Sequence, residues 1–127
     1  MFMYSSNITF LYYNDFEYGC KFVEEIFNLT MVMDQGWAKV YQINKTSFLG
    51  IVQLSEATEY QGNTLVSFNT RNVVKEHERV SKLEVFALTD IKHFEEIPLN
   101  SFFFKDAEGH DFEIQQFLSL EDITTFG

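Results

Sequence analysis

The chain has 127 residues, 46% of them hydrophobic and 17% aromatic, with 15 Phe and a formal net charge of −10. That length suits one domain with a sizeable core, and that apolarity excludes a disordered chain. Residues 1–62 carry seven acids and three bases and residues 63–127 twelve and six, a spread negative balance that opposes nucleic-acid backbones and anionic membrane surfaces. No apolar run reaches the roughly 18 residues of a membrane span. The start, "MFMYSSNITF", lacks the basic stretch and cleavage site of a secretory signal. One cysteine, Cys20, makes no internal disulfide, so the expected setting is the reducing cytoplasm.

"NITFLYY" (Asn7 to Tyr13) alternates between two faces and reads as a strand. A helix follows, N-capped by Asn14 or Asp15, with Glu17 near the positive end of its dipole. Phe16, Gly19, Cys20, Phe22, Val23, Ile26 and Phe27 form its apolar stripe, and Asn28 suits a left-handed stop. Strands are expected from Thr30 to Asp34, Trp37 to Ile43 and Ser47 to Leu54, with turns at "DQG" and "NKT". "SEATEYQG" reads as a polar linker. The order then repeats: a strand in "NTLVSFNT", an amphipathic helix with Val73, His77 and Val80 on one face, a strand in "EVFAL", and a hairpin of "NSFFFKD" and "HDFEIQQF". The expected fold class is α+β, two βαβββ modules with helices on one sheet face. Module 1 covers about 5–54, the linker 55–62 and module 2 about 63–118 of a single domain.

Two stretches carry a family resemblance. The strand, "ND" and the helix containing "KFVEEIFNL" open the chain, and "FFFKDAEGHDFEIQQF" (Phe102 to Phe117) closes it. The latter is similar to an aromatic strand, an Asp-Pro-Asp-Gly-Asn turn and a strand with a central Glu; here Ala107 replaces the Pro and His110 the final Asn. In these features the chain resembles the glyoxalase/bleomycin resistance protein family of the vicinal oxygen chelate superfamily. The resemblance implies two modules whose strands make a curved mixed sheet around a cavity, helices outside, often completed in a homodimer. It also implies that, in metal-dependent members, a Glu at the position of Glu113 joins ligands on the first strand of each module. Those positions fall at Ile8 and Leu65, which cannot bind a metal, and a further one falls near Gln53. Glu113 and Gln53 alone would be left to hold a metal, too few for zinc or a hard cation.

The remaining chemistry is sparse. There is no phosphate loop, nucleophile elbow or paired Cys motif. His77 reads as a half-buried helix residue, His93 as a loop residue and His110 as a turn residue, and Cys20 reads as a packed thiol. Alternation sets Asp111, Glu113, Gln115 and Phe117 on one strand face. The expected cavity face adds Ile8, Phe10 and Tyr12, then Leu65, Ser67 and Asn69, then Leu49, Ile51 and Gln53, with Trp37 near by. The candidate ligand-binding set is therefore Phe10, Tyr12, Trp37, Gln53, Ser67, Asn69, Glu113 and Gln115, with no catalytic residue, no metal and no cofactor. An aromatic cup with one carboxylate suits a hydrophobic, possibly cationic aromatic guest. The function expected is non-catalytic small-molecule sequestration. The alternative is a metal-dependent lyase, isomerase or dioxygenase with an atypical ligand set.

Overall fold

Asp15 starts the first helix by accepting from the Tyr18 N–H at 3.1 Å, as the sequence predicts. In this computed structural model, which describes residues 3–55 and 64–127, the helix is α1 (Phe16–Ile26), preceded by β1 (Asn7–Tyr13). Asn28 closes α1 with φ 56°. The side chains of Asp34 and Asn44 accept from Gly36, Thr46 and Ser47 N–H groups and so make the two turns joining β2 (Thr30–Asp34), β3 (Ala38–Gln42) and β4 (Ser47–Gln53). The second half holds β5 (Leu65–Asn69), α2 (Val73–Ser81), β6 (Lys92–Phe94), β7 (Leu99–Lys105), β8 (Asp111–Phe117) and a short α3 (Leu120–Phe126). The chain divides into two compact units, Met1–Gln61 and Gly62–Gly127. The linker expected at 55–62 lies, Ser55 apart, outside the described residues.

Each unit has the same four-stranded mixed sheet. The order is β1-β4-β3-β2 in the first and β5-β8-β7-β6 in the second. β1 runs parallel to β4, and β5 parallel to β8; all other pairs are antiparallel. The architecture is α+β with βαβββ modules, as the element order implied.

The register decides which side chains meet the helices. In the first unit Leu11 pairs with Ile51, and Tyr13 with Gln53, on the helix side. Leu11, Tyr13, Leu49 and Ile51 are all fully buried there, with Cys20, Phe22, Val23 and Ile26 of α1. The placement of Leu49, Ile51 and Gln53 on the open face is therefore corrected by one residue: Gly50 and Val52 share the open face with Phe10. Continuous apolar runs give no phase of their own, which is why "FLGIV" misled. In the second unit Val73 and Val80 of α2 are buried, as are Phe102, Phe104, Phe112 and Ile114. His77 stacks edge-on against Phe102, 4.8 Å between ring centres, and its Nε2 lies 2.8 Å from the Thr89 carbonyl.

Three expectations give way. "EVFAL" makes only an isolated bridge, Phe86 to Lys105, because Ala87 adopts φ 52° and cannot continue an extended strand. The edge strand is β6 instead, so His93 sits in a strand rather than a loop. His110 is buried against Asp106 rather than being an idle turn residue. The helix α3 had no counterpart among the expected elements.

One partly buried polar cluster joins α1 to β3. The Tyr41 hydroxyl donates to Glu24 Oε2 at 2.5 Å, and the Cys20 thiol is a further titratable group of this cluster. Burial pushes the Cys20 thiol above its ordinary 9.0, and burial with the Glu24 bond pushes the Tyr41 phenol far above its ordinary 10.0. Both groups thus favour their neutral forms when folded. Stability is fully present below pH 9 and declines above it, where the unfolded chain ionises first. Each group costs up to about 1.4 kcal/mol per pH unit in that range. The melting temperature is expected to fall steeply between pH 9 and 11, and Tyr41→Phe should flatten the upper part of that fall. An equally steep fall in Tyr41→Phe and Cys20→Ala would reject this account.

Candidate functional site

The open face of the second sheet carries its polar residues in cross-strand rows. Leu65, Asp111 and Lys105 form the first row, and Lys105 neutralises Asp111 through an ion pair. Ser67, Glu113 and Phe103 form the second. Asn69, Gln115, Ser101 and Lys92 form the third, in which Gln115 Nε2 donates to Asn69 Oδ1 at 2.9 Å.

Glu113 is 8% exposed. Ser67 Oγ donates to its Oε1 at 2.5 Å, and among the described residues it makes no ion pair. A buried carboxylate held by one hydroxyl is costly and receptive to a cation. Beside it the Lys92 ammonium lies 6.0 Å from the centre of the Phe103 ring. Ser101 Oγ is also buried on this face and has no hydrogen-bond partner among the described residues. Four of the expected ligand-binding residues, Ser67, Asn69, Glu113 and Gln115, are thus brought together. Ser101 was missed, and nothing in "NSFFFKD" distinguishes it before the register is known.

The other four lie in the first unit. Phe10, 45% exposed, covers Gly50: a Cβ built there would stand 2.3 Å from Phe10 Cδ1. Tyr12, Trp37 and Gln53 line a cavity of about 340 Å³ together with Val52 and Ser55. Trp37 is 62% exposed and precedes β3 rather than lying within it.

The two units can be matched position by position through their helix caps, Asp15 and Asn72. Ile8 then corresponds to Leu65, Phe10 to Ser67 and Tyr12 to Asn69. Phe10 pairs with Gly50 and Ser67 with Glu113, so the counterpart of Glu113 is Gly50, not Gln53. Gln53 has a different task. Its Nε2 donates to the carbonyls of Tyr13, Asn14 and Leu54 at 3.3, 2.9 and 3.0 Å. The four positions where the resemblance would set metal ligands are therefore Ile8, Gly50, Leu65 and Glu113. Three offer no side-chain donor, and one carboxylate does not make a zinc or hard-cation site. These residues do not fit the metal of the superfamily's metal-dependent members. Among the described residues no group of three or more His, Cys, Asp or Glu could hold one.

No protein-family model matches the chain, and no curated protein is detectably similar to it in sequence. Solved structures show the fold. The chain is similar to lactoylglutathione lyase from Agrobacterium tumefaciens, with a TM-score of 0.71, 18% identity, and coverage of 86% of this chain and 90% of that one. It is similar to the fosfomycin resistance protein FosX from Mesorhizobium loti, with a TM-score of 0.67, 23% identity, and coverage of 98% and 99%. A glyoxalase/bleomycin resistance protein/dioxygenase family enzyme from Burkholderia phytofirmans PsJN gives a TM-score of 0.73 at 14% identity, covering 87% and 97%. The chain has the fold of the vicinal oxygen chelate superfamily. No helix among the described residues is long and apolar enough to cross a membrane.

Proposed function

We propose that this protein binds, without chemically altering, a hydrophobic small molecule that carries a positive charge, and that Glu113 is its counter-charge. The observation that carries this reading is the buried carboxylate on the open sheet face, hydrogen-bonded to Ser67 and, among the described residues, paired with no cation. Asn69, Gln115 and Ser101 supply further polar groups in the adjoining row, and Phe103 supplies an aromatic face. Aromatic faces attract cations and stack on planar rings, so a planar basic compound matches both features.

Thermal-shift screening tests this with planar basic compounds and their neutral analogues. Basic members are expected to stabilise the protein, and Glu113→Gln should weaken them by about tenfold to a hundredfold while leaving neutral ones alone. Equal shifts for both sets would reduce Glu113 to an ordinary charge. The second reading, a metal-dependent lyase, isomerase or dioxygenase, is favoured only by the fold of enzymes such as the lyase above. About one zinc, nickel, iron or manganese per chain in elemental analysis, lost in Glu113→Gln, would establish that reading instead.

The same reading includes a homodimer. Ile8, Phe10, Met33, Trp37 and Leu65 expose between 43% and 62% of their surface within one chain, which is more large apolar surface than a small monomer ordinarily leaves wet. Sedimentation velocity at micromolar concentration is expected to give the mass of two chains. A single monomeric boundary would remove this part of the reading.

A further inference from the structure

We propose that the cavity of Tyr12, Trp37 and Gln53 is a second binding site, selective for a small neutral aromatic ring that carries an N–H donor. It does not rest on the role assigned to Glu113, because the described lining residues all belong to the first unit.

The argument begins with the Gln53 amide. Three backbone carbonyls, those of Tyr13, Asn14 and Leu54, surround one terminal atom of this side chain at 2.9–3.3 Å. Carbonyl oxygens only accept, so that atom is the nitrogen, and its two hydrogens are committed to the backbone. Rotation of the amide by half a turn would set oxygen against three oxygens. The orientation is therefore locked, and Oε1 is an acceptor whose direction does not adjust. Among the described residues Oε1 has no partner, and Gln53 lines the cavity.

The walls fit a flat ring. Tyr12 and Trp37 are aromatic, Val52 is aliphatic and Ser55 is small and neutral, and among the described residues no charged side chain lines the space. Trp37 is held at the rim by its own backbone, whose carbonyl accepts from the Gln53 N–H at 2.9 Å. A volume of about 340 Å³ is at the small end of ligand pockets, enough for a fused bicyclic ring and too little for a large drug-like molecule. Apolar walls with one fixed acceptor select for a single donor at the ring edge. A ring without that donor would leave Oε1 desolvated and unpaired, the asymmetry that makes hydrogen-bonding sites discriminate well.

Trp37 is the chain's one tryptophan, so its emission reports on the site directly. Benzimidazole and benzoxazole are the probes; they share shape, and the second replaces the ring N–H with oxygen. At a pH where both are neutral, benzimidazole is expected to quench Trp37 saturably, with about tenfold tighter binding than benzoxazole. Calorimetry should show benzimidazole binding lost in Trp37→Ala, whose exposed position leaves the fold intact by circular dichroism. Glu113→Gln should leave it within about twofold. Equal affinity for the two rings, no saturable quenching by either, or retained binding in Trp37→Ala would each overturn the proposal. Loss in Glu113→Gln would overturn it too, by returning the ring to the carboxylate.

Discussion

Asp106→Ala is expected to lower stability by about 3–5 kcal/mol, the largest effect of any single substitution considered for this chain. Asp106 directly follows β7, and its carboxylate is almost wholly buried. Its Oδ1 accepts from the N–H groups of Glu108 and His110, each at 3.0 Å, and both carboxylate oxygens lie 3.0–3.1 Å from His110 Nδ1. The proton on the ring is thereby fixed at Nδ1. Alanine would leave two backbone donors and a ring donor facing a void, each costing about 1–3 kcal/mol where water cannot reach. The turn also positions β8 against β7, so the loss would spread to the register that places Glu113. Chemical denaturation measures the effect, and Asp106→Asn separates its sources: retaining one acceptor oxygen, it should recover about half of the loss. A drop below 1 kcal/mol for Asp106→Ala would mean that water replaces the carboxylate.

The second large effect concerns close packing. Gly19 of α1 lies against the ring of Tyr13 on β1, and a Cβ there would stand 2.7 Å from Cγ and Cδ1 and 2.9 Å from Cδ2. Tyr13 has no exposed surface and no room to swing aside. Gly19→Ala gains about 1 kcal/mol in helix propensity, which opposes an overpacking cost of about 1–3 kcal/mol. Gly19→Val has little propensity gain and two more carbons to place, so its net cost is expected at about 3 kcal/mol or more. A double-mutant cycle with Tyr13→Leu checks the cause. Strong coupling between the two positions is expected, and additive losses would locate the strain elsewhere.

Much of this fold was legible because its signals are local. Asp15, Asp34 and Asn44 each accept from backbone N–H groups two or three residues on, Asn28 takes the left-handed conformation, and each behaves as its residue type suggests. The helical stripe of Cys20, Phe22, Val23 and Ile26 is buried as its spacing requires. What remained hidden depends on pairing between distant strands. The phase of "FLGIV" is decided by Phe10, forty residues earlier in the chain, whose ring needs a neighbour without a side chain. His110 looked idle because its partner lies across a turn whose geometry the sequence does not state. For the site, the face carrying Glu113, Ser67, Asn69 and Gln115 followed from strand alternation together with the fold that the family resemblance implied. The locked amide of Gln53 did not, since it depends on three carbonyls at the meeting of two strand ends.

The pairing of Phe10 over Gly50 and of Ser67 with Glu113 has a consequence for stoichiometry. Two copies of one supersecondary plan offer two equivalent places, and an unmodified duplicate would offer each guest two equal berths. Here one place is plugged by a benzyl ring and the other holds an ion. The repeat in topology therefore brings no repeat of the carboxylate site: a titration with a permanently cationic compound that carries no N–H donor should saturate at one equivalent per chain, with a single enthalpy. The two units thus share one strand order and differ in the chemistry at the matched position, a ring over a glycine in one and a carboxylate held by a hydroxyl in the other.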